Sequence, residues 1–182
     1  MNNNNNKTHS EKSNLDALIH RLQNEDSQYA RIVKNFQVVY WIFIPLFSIV
    51  ALFSFIETND IIQLIGDLCF IISFLIFALF FGRFYKEYKC VNYSKPTIRM
   101  LKEAAYRYKP FQLKTIWVFI ALLFIDVGLC LNRSLNFPVL KVQLYFISVI
   151  IMSTIIGLII WYYKYKPLRD SAMYLIKEIE GK

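Results

Sequence analysis

Residues 82–114, GRFYKEYKCVNYSKPTIRMLKEAAYRYKPFQLK, hold nine of the chain's 21 lysines and arginines against only two acids, Glu87 and Glu103. Long apolar runs flank this tyrosine-rich stretch on both sides. Cationic segments beside apolar spans stay on the cytoplasmic side of a membrane, so this connector orients everything attached to it. It divides the chain into two similar halves, and the fold follows from what lies on either side.

Four apolar spans can be delimited by the charges around them. Residues 35–56 carry no charge over 22 positions, and 61–82, equally long, carry only Asp67. Residues 115–132 are 18 long and contain Asp126, while 142–163 are again 22 long and free of charge. About twenty helical residues at 1.5 Å each cross a hydrocarbon core, so all four can span. A barrel strand needs about ten residues with strict alternation, and no alternation is visible. Pro45 lies in the middle of the first span; it removes one backbone bond and is expected to kink the helix, with Ser48 close enough to compensate.

Composition agrees. A chain of 182 residues that is 56% hydrophobic and 17% aromatic is too apolar for a soluble domain of this size. The net charge of +8 could suggest nucleic acid, but basic residues packed beside apolar spans mark a cytoplasmic face in contact with anionic headgroups. The expected partner is therefore the lipid bilayer and not nucleic acid. Cys69, Cys90 and Cys130 are far apart, with no CxxC or Cys/His cluster, so neither a disulfide framework nor a metal site is expected.

The remaining basic residues test the orientation. Five precede the first span, nine lie in the connector and five follow the fourth span; only Arg133 and Lys141 fall on the other side. Nineteen against two places both termini in the cytoplasm, in a multi-pass protein of the cell inner (cytoplasmic) membrane. Arg83, Lys86, Lys89, Lys164 and Lys166 are the candidate contacts to lipid headgroups. Tyr40–Trp41, Tyr85, Tyr88 and residues 161–163 form the aromatic belt of that face.

Before the first span, MNNNNNKTHSEKS (1–13) reads as a disordered polar tail and not as a signal peptide. Residues 14–34 then place Leu15, Leu18, Ile19, Leu22, Tyr29, Ile32 and Val33 on one helical stripe, with Ser13 or Asn14 as cap. The polar pair Glu25–Asp26 interrupts the stripe, and a break is expected there. In the connector, 83–114, Ser94 and Pro96 open a helix with Ile98, Leu101, Ala105 and Tyr108 on one face, closed by Pro110. In 164–182, Pro167 opens a third, with Leu168, Ala172, Leu175, Ile176 and Ile179 on one face. Such stripes are costly to leave in water, so the three helices either cluster or lie in the headgroups.

Sliding the chain against itself by 75 residues aligns the halves without a gap. Ser73 meets Ser148, Gly82 meets Gly157, Tyr88 meets Tyr163, and Lys102–Glu103 meets Lys177–Glu178. The expected fold is thus an all-α integral membrane protein, a four-helix transmembrane bundle over 35–163 made of two tandem, parallel-related hairpins, with amphipathic cytoplasmic helices.

Asp67 and Asp126 are the acids inside the spans, each about six residues, or roughly 9 Å, from an outer end. Burying a carboxylate in a membrane is costly, which makes both candidates for an intramembrane polar site with Arg133 as a neighbour. As anchors, Asp126 would reach toward Arg133 and Asp67 toward the outer loop. No GxSxG, HExxH, P-loop or GxGxxG pattern occurs, and both histidines lie before the first span, so neither catalysis nor a cofactor is expected. Two functions remain: a scaffold or regulator acting through the basic cytoplasmic helices on a cytoplasmic protein partner, or a small transporter or channel subunit, working as a homo-oligomer through Asp67 and Asp126.

Overall fold

The computed structural model describes residues 3–93, 97–110, 112–132 and 138–181, with side chains from Leu15 onward. Among these residues there is no strand. The helices are α1 (Asn3–Thr58), α2 (Ile61–Lys89), α3 (Thr97–Arg107), α4 (Ile116–Leu131), α5 (Val139–Ile160) and α6 (Lys166–Glu180). A 3-10 turn, Leu113–Thr115, leads into α4, and a π-helical turn, Trp161–Tyr165, joins α5 to α6. Four helical stretches are long and apolar enough to cross a membrane: Leu15–Thr58, Ile61–Lys89, Leu113–Leu131 and Val139–Glu180.

Several boundaries differ from the sequence reading. The backbone is helical from Asn3, ahead of the start expected at Ser13 or Asn14. No glycine or proline interrupts residues 3–44, and adding a residue to an existing helix is far easier than nucleating a new one. The helix also runs unbroken through Glu25–Asp26. Likewise α6 is not a separate helix after the fourth span but follows α5 through the π turn. Pro167 sits in the first turn of α6, where its missing N–H is least costly. Ser48 Oγ donates to the carbonyl of Ile44 at 2.8 Å, not to that of Trp41, which Pro45 leaves without its N–H. Ser94, Pro96 and Arg133 lie outside the described residues.

The chain forms two compact units. One comprises residues 30–86 and 112–155. Within it α1 and α2 run antiparallel, turned by Asn59 in the left-handed region (φ 53°) and by Asp60, whose Oδ1 accepts the Ile62 N–H at 2.9 Å. Phe36 stacks on Phe81, Tyr40 on Phe77, Phe43 against Phe74 and Phe47 against Phe70, so each step up α1 is matched by an equal step down α2. The same register brings Gln63 Nε2 to Ser54 Oγ at 2.9 Å. Lipid tails are as apolar as leucine, so this hairpin is held by packing; each aromatic pair contributes about 0.5–1.5 kcal/mol beyond its buried area.

Where α2 crosses α4, close approach replaces aromatic bulk. A Cβ on Gly66 would lie 3.2 Å from the Gly128 carbonyl oxygen, and one on Gly128 would lie 3.0 Å from that of Gly66. Seven residues along each helix, Ser73 Oγ donates to the Ala121 carbonyl at 2.9 Å. Equal spacing in opposite directions means an antiparallel crossing, with small residues where the backbones touch. Helix α5, by contrast, has no buried residue.

Positions identical under the 75-residue shift have unlike surroundings. Gly82 packs against the Gln37 amide, whereas a Cβ on Gly157 would meet nothing within 4 Å. Ser73 bonds across to α4, but Ser148 bonds back to Leu144. Tyr88 is buried and Tyr163 exposed.

The other unit comprises residues 1–29, 87–111 and 156–182. Its core is Leu18 and Leu22 of α1, Met100, Leu101, Ala104 and Ala105 of α3, Tyr108 just beyond it, and Ala172 and Ile176 of α6. The apolar side chains of α1, α3 and α6 meet in this one core. Leu22 and Leu101 are wholly enclosed, and burying such a side chain stabilises by about 1.5–3 kcal/mol.

Candidate functional site

At positions 22, 26, 29 and 33, the inner stripe of α1 holds three apolar or aromatic side chains and one carboxylate, Asp26. Asp26 is 2% exposed. Leaving a lone charge there would cost several kcal/mol, so donors must converge on it. Three do. Arg107, at the end of α3, places Nη2 2.9 Å from Asp26 Oδ2 while itself only 7% exposed. Tyr93 OH, from the loop after α2, donates to Oδ2 at 2.5 Å, and Tyr108 OH donates to Oδ1 at 2.6 Å.

Further contacts enclose the node. Tyr88 OH donates to the Arg107 carbonyl at 3.2 Å, and Trp161 Nε1, from the π turn, donates to that of Tyr108 at 2.8 Å. Tyr29 packs on Tyr88 with ring centroids 4.4 Å apart, and Tyr108 stacks on Tyr165 at 5.6 Å. One carboxylate thereby ties together α1, the loop before α3, α3 itself and the approach to α6. Burial, with the charge and hydrogen bonds of Asp26, holds the Tyr93 and Tyr108 phenols well above the usual tyrosine range; Arg107 offsets this only in part.

In the sequence, Glu25–Asp26 stands as a polar break in the run of apolar residues. A sharper signal was present: Asp26 falls four residues after Leu22 and four before Ala30, inside the apolar stripe. A carboxylate on a buried face requires a cation, and the connector supplies nine. Which of them answers is decided by the fold.

Asp67, on α2, is buried at 9% exposure and has no hydrogen-bond or ion-pair partner among the described residues. Asp126, on α4, is half-buried and accepts a bond from Gln143 Nε2 of α5 at 2.7 Å. That same amide nitrogen lies 2.8 Å from Cys130 Sγ. Arg133, the expected partner of Asp126, lies outside the described residues. Arg83, Lys86 and Lys89 are exposed on α2. Lys164 pairs with Glu25 at 2.8 Å, and Lys166 lies 4.4 Å above the Tyr162 ring. Among the described residues, no group of three His, Cys, Asp or Glu side chains could hold a metal ion. No protein-family model matches the chain, and neither a curated protein nor a solved structure matches it.

Proposed function

We propose that the chain is a noncatalytic integral membrane protein that scaffolds or regulates a cytoplasmic partner through its basic helices. In this reading it lies in the inner membrane with both termini in the cytoplasm, and its four spans form two tandem, parallel-related hairpins that carry amphipathic cytoplasmic helices. Arg83, Lys86, Lys89, Lys164 and Lys166 then face anionic headgroups.

The observation that carries the proposal is the Asp26 node. Its donors bury the carboxylate completely and use it to hold α1, α3 and the lead into α6 in one arrangement. A node spent on holding helices presents a fixed surface to a partner. Met173 and Tyr174 of α6 are exposed apolar groups on that unit, of the kind a partner covers. The test is purification in mild detergent, with the complex mass measured and co-purifying proteins identified. A partner held at fixed stoichiometry and lost on Tyr174→Lys supports the reading; a lone homo-oligomer overturns it.

A second reading, a small transporter or channel subunit working as a homo-oligomer, is favoured by one observation. Asp67 is a buried intramembrane carboxylate with no partner among the described residues. In proteoliposomes this reading expects a proton-linked flux that Asp67→Asn abolishes.

A further inference from the structure

A cleft of about 320 Å³ lies between the N-terminal part of α1 and the start of α6. Leu18 and Leu168 give it apolar walls, and Arg21, Asn24, Lys164 and Ser171 supply its polar lining. Its one acid, Glu25, is already engaged by Lys164 at 2.8 Å. That leaves the Arg21 guanidinium, which has no ion-pair partner among the described residues, as an uncompensated positive charge.

The open donors point the same way. Asn24 uses only its carbonyl oxygen, which accepts from Gln28 at 3.5 Å, so its NH₂ is available. The Ser171 hydroxyl has no partner among the described residues. Lys164 donates to Gln28 Oε1 at 3.5 Å and sits in an ion pair with Glu25, which leaves N–H capacity on its ammonium. Guanidinium, ammonium, amide and hydroxyl donors around one small cleft match the oxygens of a tetrahedral phosphate.

We propose that this cleft seats the phosphate of an anionic phospholipid. The lipid source follows from position: Tyr163 and Lys164 directly continue α5, a 22-residue apolar helix, so the cleft opens where an apolar span ends. Headgroup phosphates lie at that level, and the leucine walls suit the glycerol end of the lipid. Arg21 makes the forked contact to phosphate oxygens; Asn24, Lys164 and Ser171 complete the shell. The proposal does not depend on whether the protein docks a partner.

The test is native mass spectrometry of the full chain released from mild detergent, comparing retained phosphatidylglycerol with phosphatidylcholine. Wild type keeps phosphatidylglycerol preferentially. Arg21→Gln lowers that retention about tenfold, as expected for loss of one charge-assisted contact, and leaves phosphatidylcholine unchanged. Asn24→Asp, an exposed and nearly isosteric change that adds negative charge to the cleft, acts in the same direction. Lys109→Gln, outside the cleft, has no effect. Equal retention by wild type and Arg21→Gln overturns the site, as does an equal loss in Lys109→Gln, which means diffuse attraction. Displacement of the lipid by millimolar inorganic phosphate overturns the lipid assignment. Far-UV circular dichroism of each variant shows that the helices remain.

Discussion

Arg107 and Asp26 stand 81 residues apart in the chain, yet the guanidinium nitrogen lies 2.9 Å from the carboxylate oxygen, with both side chains almost fully buried. A buried pair of this kind is worth little net, because desolvation offsets attraction. Its consequence is asymmetric: removing one partner strands the other. Asp26→Ala or Arg107→Met should each lower unfolding stability by about 3–5 kcal/mol, while Asp26→Ala combined with Arg107→Met costs less than the sum of the two, because no charge is then stranded and only the Tyr93 and Tyr108 hydroxyls lack their acceptor. Denaturant unfolding in detergent, followed by circular dichroism, measures this. A double variant as unstable as the sum of the singles means that the two residues do not act as a pair.

The glycines separate a packed position from an open one. Gly128→Ala pushes a methyl against the Gly66 carbonyl oxygen, 3.0 Å away, and against the Phe70 ring at 3.1 Å. Backbone cannot swing aside as a side chain can, so the helices must part, at about 1–3 kcal/mol. Gly157→Ala meets nothing within 4 Å and gains helix propensity, so it should be neutral or slightly stabilising. Melting temperatures of the two variants, taken in the same detergent, should diverge in sign.

Alkaline pH should loosen the Asp26 node. Tyr93 and Tyr108 have folded pKa values raised above their unfolded values. Their contribution is therefore complete below about pH 10, where both states keep the proton, and is lost as pH rises above it, because only the unfolded state ionises readily. Stability measured from pH 8 upward should fall beyond about pH 10, and Tyr93→Phe with Tyr108→Phe should flatten that fall. An unchanged slope in the double variant refutes the assignment.

Orientation can be read with thiol reagents. Cys90 is exposed, and it serves as a native probe once Cys69 and Cys130 are replaced. With both termini in the cytoplasm, an impermeant maleimide applied to intact cells spares Cys90 and modifies a cysteine placed at Asn59, in the α1–α2 turn. The reverse pattern inverts the topology.

Hydropathy is a sum over neighbours in the chain, so the sequence alone was enough to expect four apolar spans, and four helices of sufficient length and apolarity are present. The stripes of α1, α3 and α6 were legible for the same reason, since a helix repeats every 3.6 residues whatever surrounds it. What a stripe packs against is not local information. The identity of the cation that meets Asp26, and of the two phenols beside it, depends on bringing residues 26, 93, 107 and 108 together. The aromatic register of α1 on α2 and the contact of Gly66 with Gly128 likewise depend on how one helix slides along another. The same holds for the repeat: Gly82 and Gly157 match as letters, but one is pressed against Gln37 and the other faces open space. Identical residues acquire different roles because contact, unlike hydropathy, belongs to the pair and to the distance that folding closes between its members.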